Sequence, residues 1–500
     1  MGGIRMKKNK RILAAIMAAI MCISAASCTK SGGGSSSGTA SKDAGSLNPY
    51  KEEITIRILE NDTAKAKGYL DELLKAFNEA YGDQGVVAVD ANMDEYSDLA
   101  ENGPYGYGPD VIYQANDKLM TYASDKHLLA INKDDYECSF VTPDAAWDAF
   151  AINVDGNTYT CGVPVNVQEP MLFYRADKMP ENWETEWDDD KNGVADFFEN
   201  WNDLYALSVK IRESGDGKFG YMSSLNNLYL NANFLFSYGA YVFGENEDGT
   251  LDSTDIGFAK GNAASGMMSM MQFAAVMNEG CIDDTITTSR YEKVANGDYF
   301  CAVSTPDTYT VFVEKLALQY ESEGLSEEEA LKKAQENLKM IEMPAKAPAD
   351  GDLSKDSSTM TDDDWVDTVV MGGVNGYGIS AYTKYKEACI AFVNFATSYD
   401  MIRTRMDLLG IAPTRSDAAE GSGDISSMIF DSLKAGRISL MPSIKAVDQI
   451  WTPMHTLMGD IAKDPYRPDG EKKYAAKADI QAALEQASKN IYDAIYTLAE

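Results

Sequence analysis

Gly108-Pro109-Asp110-Val111-Ile112-Tyr113-Gln114-Ala115-Asn116-Asp117-Lys118 sets the fold. Gly108-Pro109 punctuates the chain, since proline fixes φ and lacks a backbone donor. Asp110 to Tyr113 reads as a strand, and a helix then runs through Leu119, Met120, Tyr122 and Ala123 to Leu128. The same alternation appears upstream. Ile54, Ile56 and Ile58 alternate with polar residues as one buried strand face. Leu70, Leu73, Leu74, Phe77 and Tyr81 then repeat at helical spacing until Gly82, and Val86 to Val89 forms another strand. Strands alternating with helices argue for an α/β domain with a parallel sheet.

Downstream, Ile152–Val154 and Tyr159–Val163 flank Asp155-Gly156, a hairpin signal. Beyond residue 195 the pattern turns mostly helical and rich in Met and aromatics. Ser326 and Glu329 have capping-box spacing ahead of a charged helix expected to end near Met340. Residues 345–364 read as a long polar loop. In the last helix, Ile480, Ala483, Leu484, Ala487, Ile491, Ile495 and Leu498 form a stripe expected to pack on another helix. No internal repeat is present.

The amino terminus gives an address. Lys7, Lys8, Lys10 and Arg11 precede an apolar stretch from Ile12 to Ile23, and Ala25-Ala26-Ser27 leads into Cys28. This is a secretory signal, too short for the roughly 20 apolar residues that cross a bilayer. Residues 1–27 are expected to be removed. Cys28 resembles the lipidated cysteine of a bacterial lipoprotein, and Cys22 fits less well because Met21 is too large for the cleavage position. Residues 28–49 then form the lipidated cysteine and a tether, which from Ser31 to Ser46 is almost entirely Ser, Gly, Ala and Thr and cannot offset its ordering entropy. Its typical reach is roughly 20–25 Å.

The net charge of −34 becomes −39 once the five basic residues before Cys28 are removed. Phosphate binding needs a basic surface, so nucleic acid is excluded as a partner, and a neutral ligand fits better than an anionic one. Cys138, Cys161, Cys281, Cys301 and Cys389 are odd in number and widely spaced, unlike a disulfide framework. Cys138 and Cys161 could pair across the hairpin; otherwise the cysteines are small buried hydrophobes. Only two histidines exist, His127 in a helix and His455 after Pro453-Met454. With no GxSxG, HExxH, Walker loop or placed GxGxxG, the chain is read as a non-enzyme. Paired carboxylates of a glycoside hydrolase remain the rival, because 78 acidic residues offer many pairs.

Asp188-Asp189-Asp190-Lys191-Asn192-Gly193-Val194-Ala195-Asp196-Phe197-Phe198-Glu199 resembles a twelve-residue EF-hand loop. Asp188, Asp190, Asn192, Asp196 and Glu199 occupy ligand positions, the Val194 carbonyl another, and Gly193 the sharp turn. One structural Ca²⁺ is expected. No second loop exists, so a paired calcium switch is not.

The segment Gly108–Lys118 is also similar to the strand-to-helix segment of maltose/maltodextrin-binding proteins, family 1 of the extracellular solute-binding proteins of carbohydrate ABC importers. Other stretches follow in the family's order. Leu128-Leu129-Ala130-Ile131 and Gly162-Val163-Pro164-Val165 come first, then a crossover from Pro164 to Tyr174 continued by Asp177. After these come Ala295-Asn296-Gly297-Asp298 to Ser304-Thr305-Pro306, Leu408-Leu409-Gly410-Ile411-Ala412-Pro413-Thr414, and Met441-Pro442 to Trp451. Together they span most of residues 50–500.

The resemblance implies a two-lobed, type II periplasmic-binding-protein-like α/β fold, each lobe a mixed sheet flanked by helices, closing about a hinge. The lobes would be residues 50–166 with 375–415, and 167–374 with 416–500. It implies a monomeric receptor that takes a neutral oligosaccharide, maltooligosaccharide favoured, and delivers it to the transmembrane subunits of an ABC permease. Its place would be the outer face of a Gram-positive type cell membrane. Other xylo-, fructo-, manno- or acidic oligosaccharides, or a surface adhesin, stay open as readings. By position, Asp117 and Lys118 would bond sugar hydroxyls, and Tyr229 and Trp451 would stack on sugar rings. The Glu60-Asn61-Asp62 loop would reach the cleft, with Asp62 contacting ligand, and Gln168 and Glu169 sit at the crossover. Gln114, Asp307 and Asn227 depart from the family's tryptophans and acidic residue at those places, and Tyr309 is close enough to replace one platform. Residues 313–340 and 345–364 are insertions relative to short members.

Overall fold

The computed structural model describes residues 48–49 and 52–497, apart from 96, 98, 155–156, 248–249 and 420–424. The expected signal, the Cys28 anchor and nearly all of the tether lie outside the described residues. The chain enters a sheet with β1 (Ile54–Leu59), whose alternate isoleucines are buried. Helix α1 (Tyr69–Tyr81) packs Tyr69, Leu70, Leu73 and Phe77 inward. It ends at Tyr81, with Gly82 as its cap as the spacing predicts. Gly82 stays right-handed and starts a short 3₁₀ turn, and Gly85 takes φ +73° to launch β2 (Val86–Asp90). Next come β3 (Val111–Ala115) and α2 (Asn116–Ser124). Helix α2 ends before Leu128, and His127 lies beyond it, its ring bonded to Tyr382 Oη at 2.6 Å. Ala151–Val154 pairs antiparallel with Asn157–Thr160, and β4 (Val163–Gln168) follows.

After Glu169-Pro170 the chain starts a second sheet with β5 (Met171–Arg175). This lobe adds α3 (Trp201–Glu213), β6 (Phe219–Met222), α4 (Ala263–Val276), β7 (Tyr299–Ser304), α5 (Tyr309–Ser322) and α6 (Glu327–Asn337). The capping box of Ser326 and Glu329 is present in both directions. Helix α6 ends at Asn337 rather than near Met340, because Leu338 enters β8 (Leu338–Glu342) and pairs antiparallel with β5. The polar stretch 345–364 is pinned rather than loose. Lys346–Pro348 pairs with Trp365–Asp367, and Gln272 and Ser269 both donate to the Gly351 carbonyl.

The chain returns to the first sheet as β9 (Val370–Ile379), and α7 (Tyr399–Leu409), β10 (Ala412–Pro413) and β11 (Ile438–Leu440) follow. It then finishes on the second lobe with α8 (Trp451–Lys463) and α9 (Lys477–Thr497). The sheet orders are β10-β4-β9-β3-β1-β2, with β11 beside β9, and β8-β5-β7-β6. The first sheet is mixed, since β9 runs antiparallel between β3 and β4. Boundaries expected at 166/167 and 374/375 fall inside β4 and β9, whose ends form two of the crossings. Cys138 and Cys161 are unpaired and buried, as are Cys281, Cys301 and Cys389. Among the described residues no helix is long and apolar enough to cross a membrane.

Candidate functional site

The two sheets meet where β4 ends, β9 begins and α2 starts. Gln168 pairs with Gly373 in the β4–β9 register. Tyr229 donates from its hydroxyl to the Gln168 carbonyl at 3.1 Å. A Cβ on Gly373 would sit 2.7 Å from Met441 Cε, with Asn116 Oδ1 at 3.7 Å and Tyr229 Oη at 3.8 Å. Glycine lets the Met441 methyl, Asn116 and Tyr229 close over this point, and a larger residue would have to displace the end of the Met441 side chain. Asn116 is buried, donating to the Met441 carbonyl at 3.0 Å and Ser443 Oγ at 3.2 Å and accepting from Val374 N at 3.2 Å. One patch thus joins residues from both lobes.

Acids surround it. Burial drives the Tyr229 hydroxyl well above its ordinary pKa, and the carboxylates of Asp307, Glu169 and Asp117 push further. Asp117 is pushed up to about 6 by burial, against its backbone bonds and with help from Asp448. Asp307 is also raised by burial, which outweighs Thr305, Arg290 and Arg405, and its Oδ1 is buried without a hydrogen-bond partner. Glu169 is pushed up to about 8 by burial and by Glu342, with Arg437 opposing. Its Oε1 has no partner either, and it faces a cavity of about 20 Å³ shared with Glu342, Ser432 and Arg437. Acids poised between charged and neutral can accept or donate a hydrogen bond, which suits hydroxyl-rich ligands.

Other residues singled out in the sequence have local partners. Asp62 is exposed at the start of a short helix, and its N–H donates to Glu95 Oε2 at 2.5 Å. Glu60 does not reach the cleft: it turns inward into a bidentate ion pair with Arg405, both fully buried. The Arg405 guanidinium lies 3.9 Å from the centre of the Tyr113 ring and 4.6 Å from that of Tyr69, flat surfaces that replace some of its lost hydration. Gln114 donates to the Glu95 carbonyl at 2.6 Å, and the Lys118 ammonium sits over the Tyr122 ring. Asn227 caps a helical turn, accepting from Leu230 N at 3.1 Å. Tyr309 packs on Gly410 at the end of α7. Trp451 opens α8 half-buried, edge-on to His455 at 6.1 Å. Asn116, Gly373 and Arg405 were not singled out in the sequence. Only Asn116 had a local signal, a polar residue where a strand hands over to a helix.

Residues 72–428 match the family model described as bacterial extracellular solute-binding protein. The chain belongs to this family. Among curated relatives, the galactooligosaccharide-binding protein of Bacillus subtilis is 24% identical over 432 residues, covering 86% of each chain. A maltooligosaccharide ABC transporter solute-binding lipoprotein of Streptococcus pneumoniae is 22% identical, covering 84% of this chain and 86% of its own. Among solved structures, MalX from Streptococcus pneumoniae in complex with maltopentaose aligns with TM-score 0.64 at 19% identity, covering 88% of this chain and all of that one. The maltose-binding protein MalE from Listeria monocytogenes in complex with maltose aligns with TM-score 0.60 at 19% identity, over 89% and 98%. These likenesses establish the two-lobed type II fold. The family is one of binders rather than catalysts, in keeping with a non-enzymatic chain.

This solute-binding protein also curls residues 188–199 into a tight loop. Asp188 Oδ2 accepts from Gly193 N at 3.2 Å, Asp190 Oδ1 from Asn192 N at 3.1 Å, and Asn192 Oδ1 from Val194 N at 2.7 Å. Glu199 Oε1 accepts from Asn192 Nδ2 at 2.7 Å, and Asp196 accepts from Asp189 N. Lys191 and Gly193 take φ +59° and +83°. Asp188 Oδ1 is buried without a partner, and burial, then neighbouring carboxylates, push Asp196 up to about 6. The oxygen donors suit a hard cation such as Ca²⁺. Among the described residues, however, no three His, Cys, Asp or Glu side chains are gathered closely enough to hold a metal.

Proposed function

We propose that the chain is a lipid-anchored receptor that captures a neutral oligosaccharide between its lobes and delivers it to an ABC permease. The observation behind this is the meeting of Asn116 from the first lobe with Tyr229 from the second at Gly373, where the Tyr229 hydroxyl also feels the charges of Asp117, Asp307 and Glu169. Orphaned buried acceptors there are costly unless a ligand bonds them, and sugar hydroxyls are donors. Trp451 supplies a stacking face, since sugar rings present apolar CH surfaces. A maltooligosaccharide is favoured, in line with the names of several relatives. The relative named for galactooligosaccharide favours a second reading, in which the same cleft takes a galactooligosaccharide. Cys28 would hold the receptor on the outer face of the cell membrane, and the 188–199 loop would bind one structural Ca²⁺ that gathers its carboxylates.

Titration calorimetry against malto-, galacto-, xylo-, fructo- and manno-oligosaccharides tests the reading. One-to-one binding without product supports the receptor. Slow release of shorter sugars would replace it with a glycoside hydrolase.

A further inference from the structure

Between α8 and α9 lies a cavity of about 820 Å³, lined in part by Asn226, Thr452, Thr456, His455, Gln486 and Asn490. This is within the size range of ligand sites, roughly 300–1,000 Å³. It starts beside the cleft: Thr452 and Pro453 follow Trp451 directly, and His455 meets the Trp451 ring edge-on. On the other wall, Asn226 precedes Tyr229 by three residues. Asn226 rests against Gly459, where a Cβ would come within 3.2 Å, so glycine allows α8 to sit close.

Two residues of this lining each keep one buried polar atom without a partner. Asn226 gives its amide to Asp284 Oδ2 at 2.8 Å, which fixes the side chain and leaves its buried Oδ1 unbonded. His455 Nε2 is buried and also unbonded, and burial lowers the imidazole's pKa, keeping it neutral. The charged residues of the lining balance. Asp283 pairs with Lys463 at 3.1 Å, and Asp460 with Lys473 at 3.1 Å. In a chain of charge −34, a charge-balanced cavity rich in amides and hydroxyls suits an uncharged polyhydroxy ligand.

We propose that this cavity is an extended subsite that receives the outer residues of a neutral oligosaccharide after the chain has passed over Trp451. It rests on the oligosaccharide reading above and adds a specificity for chain length. The exposed hydroxyls of Thr452 and Thr456 bond the sugar from the α8 side, while Gln486 and Asn490, which bond each other at 2.8 Å, line the α9 side.

The test is calorimetry of malto- and galacto-oligosaccharides of two to seven units on the intact protein and on two variants. Thr456→Leu on α8 and the pair Gln486→Leu/Asn490→Leu on α9 change exposed positions, and melting curves confirm that they fold. In the wild type, affinity should keep rising beyond three units. Both variants should bind the trisaccharide as before and the six- and seven-unit chains roughly tenfold more weakly, about 1.4 kcal/mol. Unchanged affinity for every length in both variants would overturn the subsite while leaving the cleft intact. Failure of every oligosaccharide to bind the wild type would instead remove the oligosaccharide reading, and the subsite with it.

Discussion

Asn116 links the start of α2 to the Met441 carbonyl, 325 positions along the chain, at 3.0 Å. Its oxygen holds the Val374 amide at the same time, so one buried side chain fastens α2, β9 and the segment leading to α8. A backbone segment held this way sets where Trp451 stands.

Asn116→Ala should therefore cost more than one hydrogen bond. It leaves a buried carbonyl and a buried amide without partners, each worth roughly 1–3 kcal/mol. We expect a loss of about 2–4 kcal/mol in urea unfolding, together with weaker oligosaccharide binding at temperatures where the variant is folded. A variant with wild-type stability would show that the 441–443 segment is held by its packing alone.

Tyr229→Phe and Trp451→Ala separate hydrogen bonding from stacking. The first removes only the hydroxyl that reaches Gln168 and stands among three acids, and should lower affinity about tenfold with little change in stability. The second removes a half-buried ring and should abolish measurable binding while the fold persists. Calorimetry with far-UV dichroism distinguishes the outcomes, and retained affinity would place either residue outside the site.

Glu169 gives a pH signature. Its carboxyl is raised from 4.5 to about 8 when folded, so the folded state holds a proton that the unfolded chain releases near pH 4.5. Between those values the folded state binds more protons, and stability falls as pH rises, levelling above about 8. Glu169→Gln keeps the neutral shape and should flatten that slope. The variant should be more stable than wild type at pH 9, by on the order of a few kcal/mol at about 1.4 kcal/mol per tenfold in proton affinity. Parallel slopes in urea titrations from pH 5 to 9 would refute this.

Calcium should raise the melting temperature and EDTA lower it. Asp188→Ala should remove that response, because Asp188 supplies the first loop position and a buried oxygen without a partner. Identical melts with calcium and with chelator would leave 188–199 as a self-bonded acidic turn.

The strand-to-helix passage at 108–124 was legible because punctuation, apolar run and helical spacing agree within a few residues. β9 was not. Val370–Ile379 is rich in glycine and buried on both faces, so it shows neither alternation nor a helical stripe, although it forms the middle of the first sheet. The start of Leu338–Glu342, up to about Met340, was absorbed into a helix because its strand identity depends on β5, more than 160 positions earlier. In the candidate patch, Asp117, Tyr229, Asp307 and the Gln168-Glu169 pair are residues the sequence named by position, and the structure sets them close enough for their charges to act on Tyr229 or for Tyr229 to bond Gln168. Asn116 and Gly373 were not among them, since their roles exist only once the chain has returned to the first sheet. Glu60 went the other way: placed in the cleft by its neighbours in sequence, it is held inside by Arg405, 345 positions along.

The five unpaired cysteines have a practical side. All are buried, and burial pushes the thiols of Cys138 and Cys161 up to about 11 and Cys389 to about 12. The thiolate is the reactive form, so a body beginning at residue 48 should be silent toward maleimides until it unfolds. A single cysteine placed on an exposed rim would then be the sole point of attachment for a dye. The receptor could be turned into a reagentless optical sensor for its own ligand without deleting any native thiol.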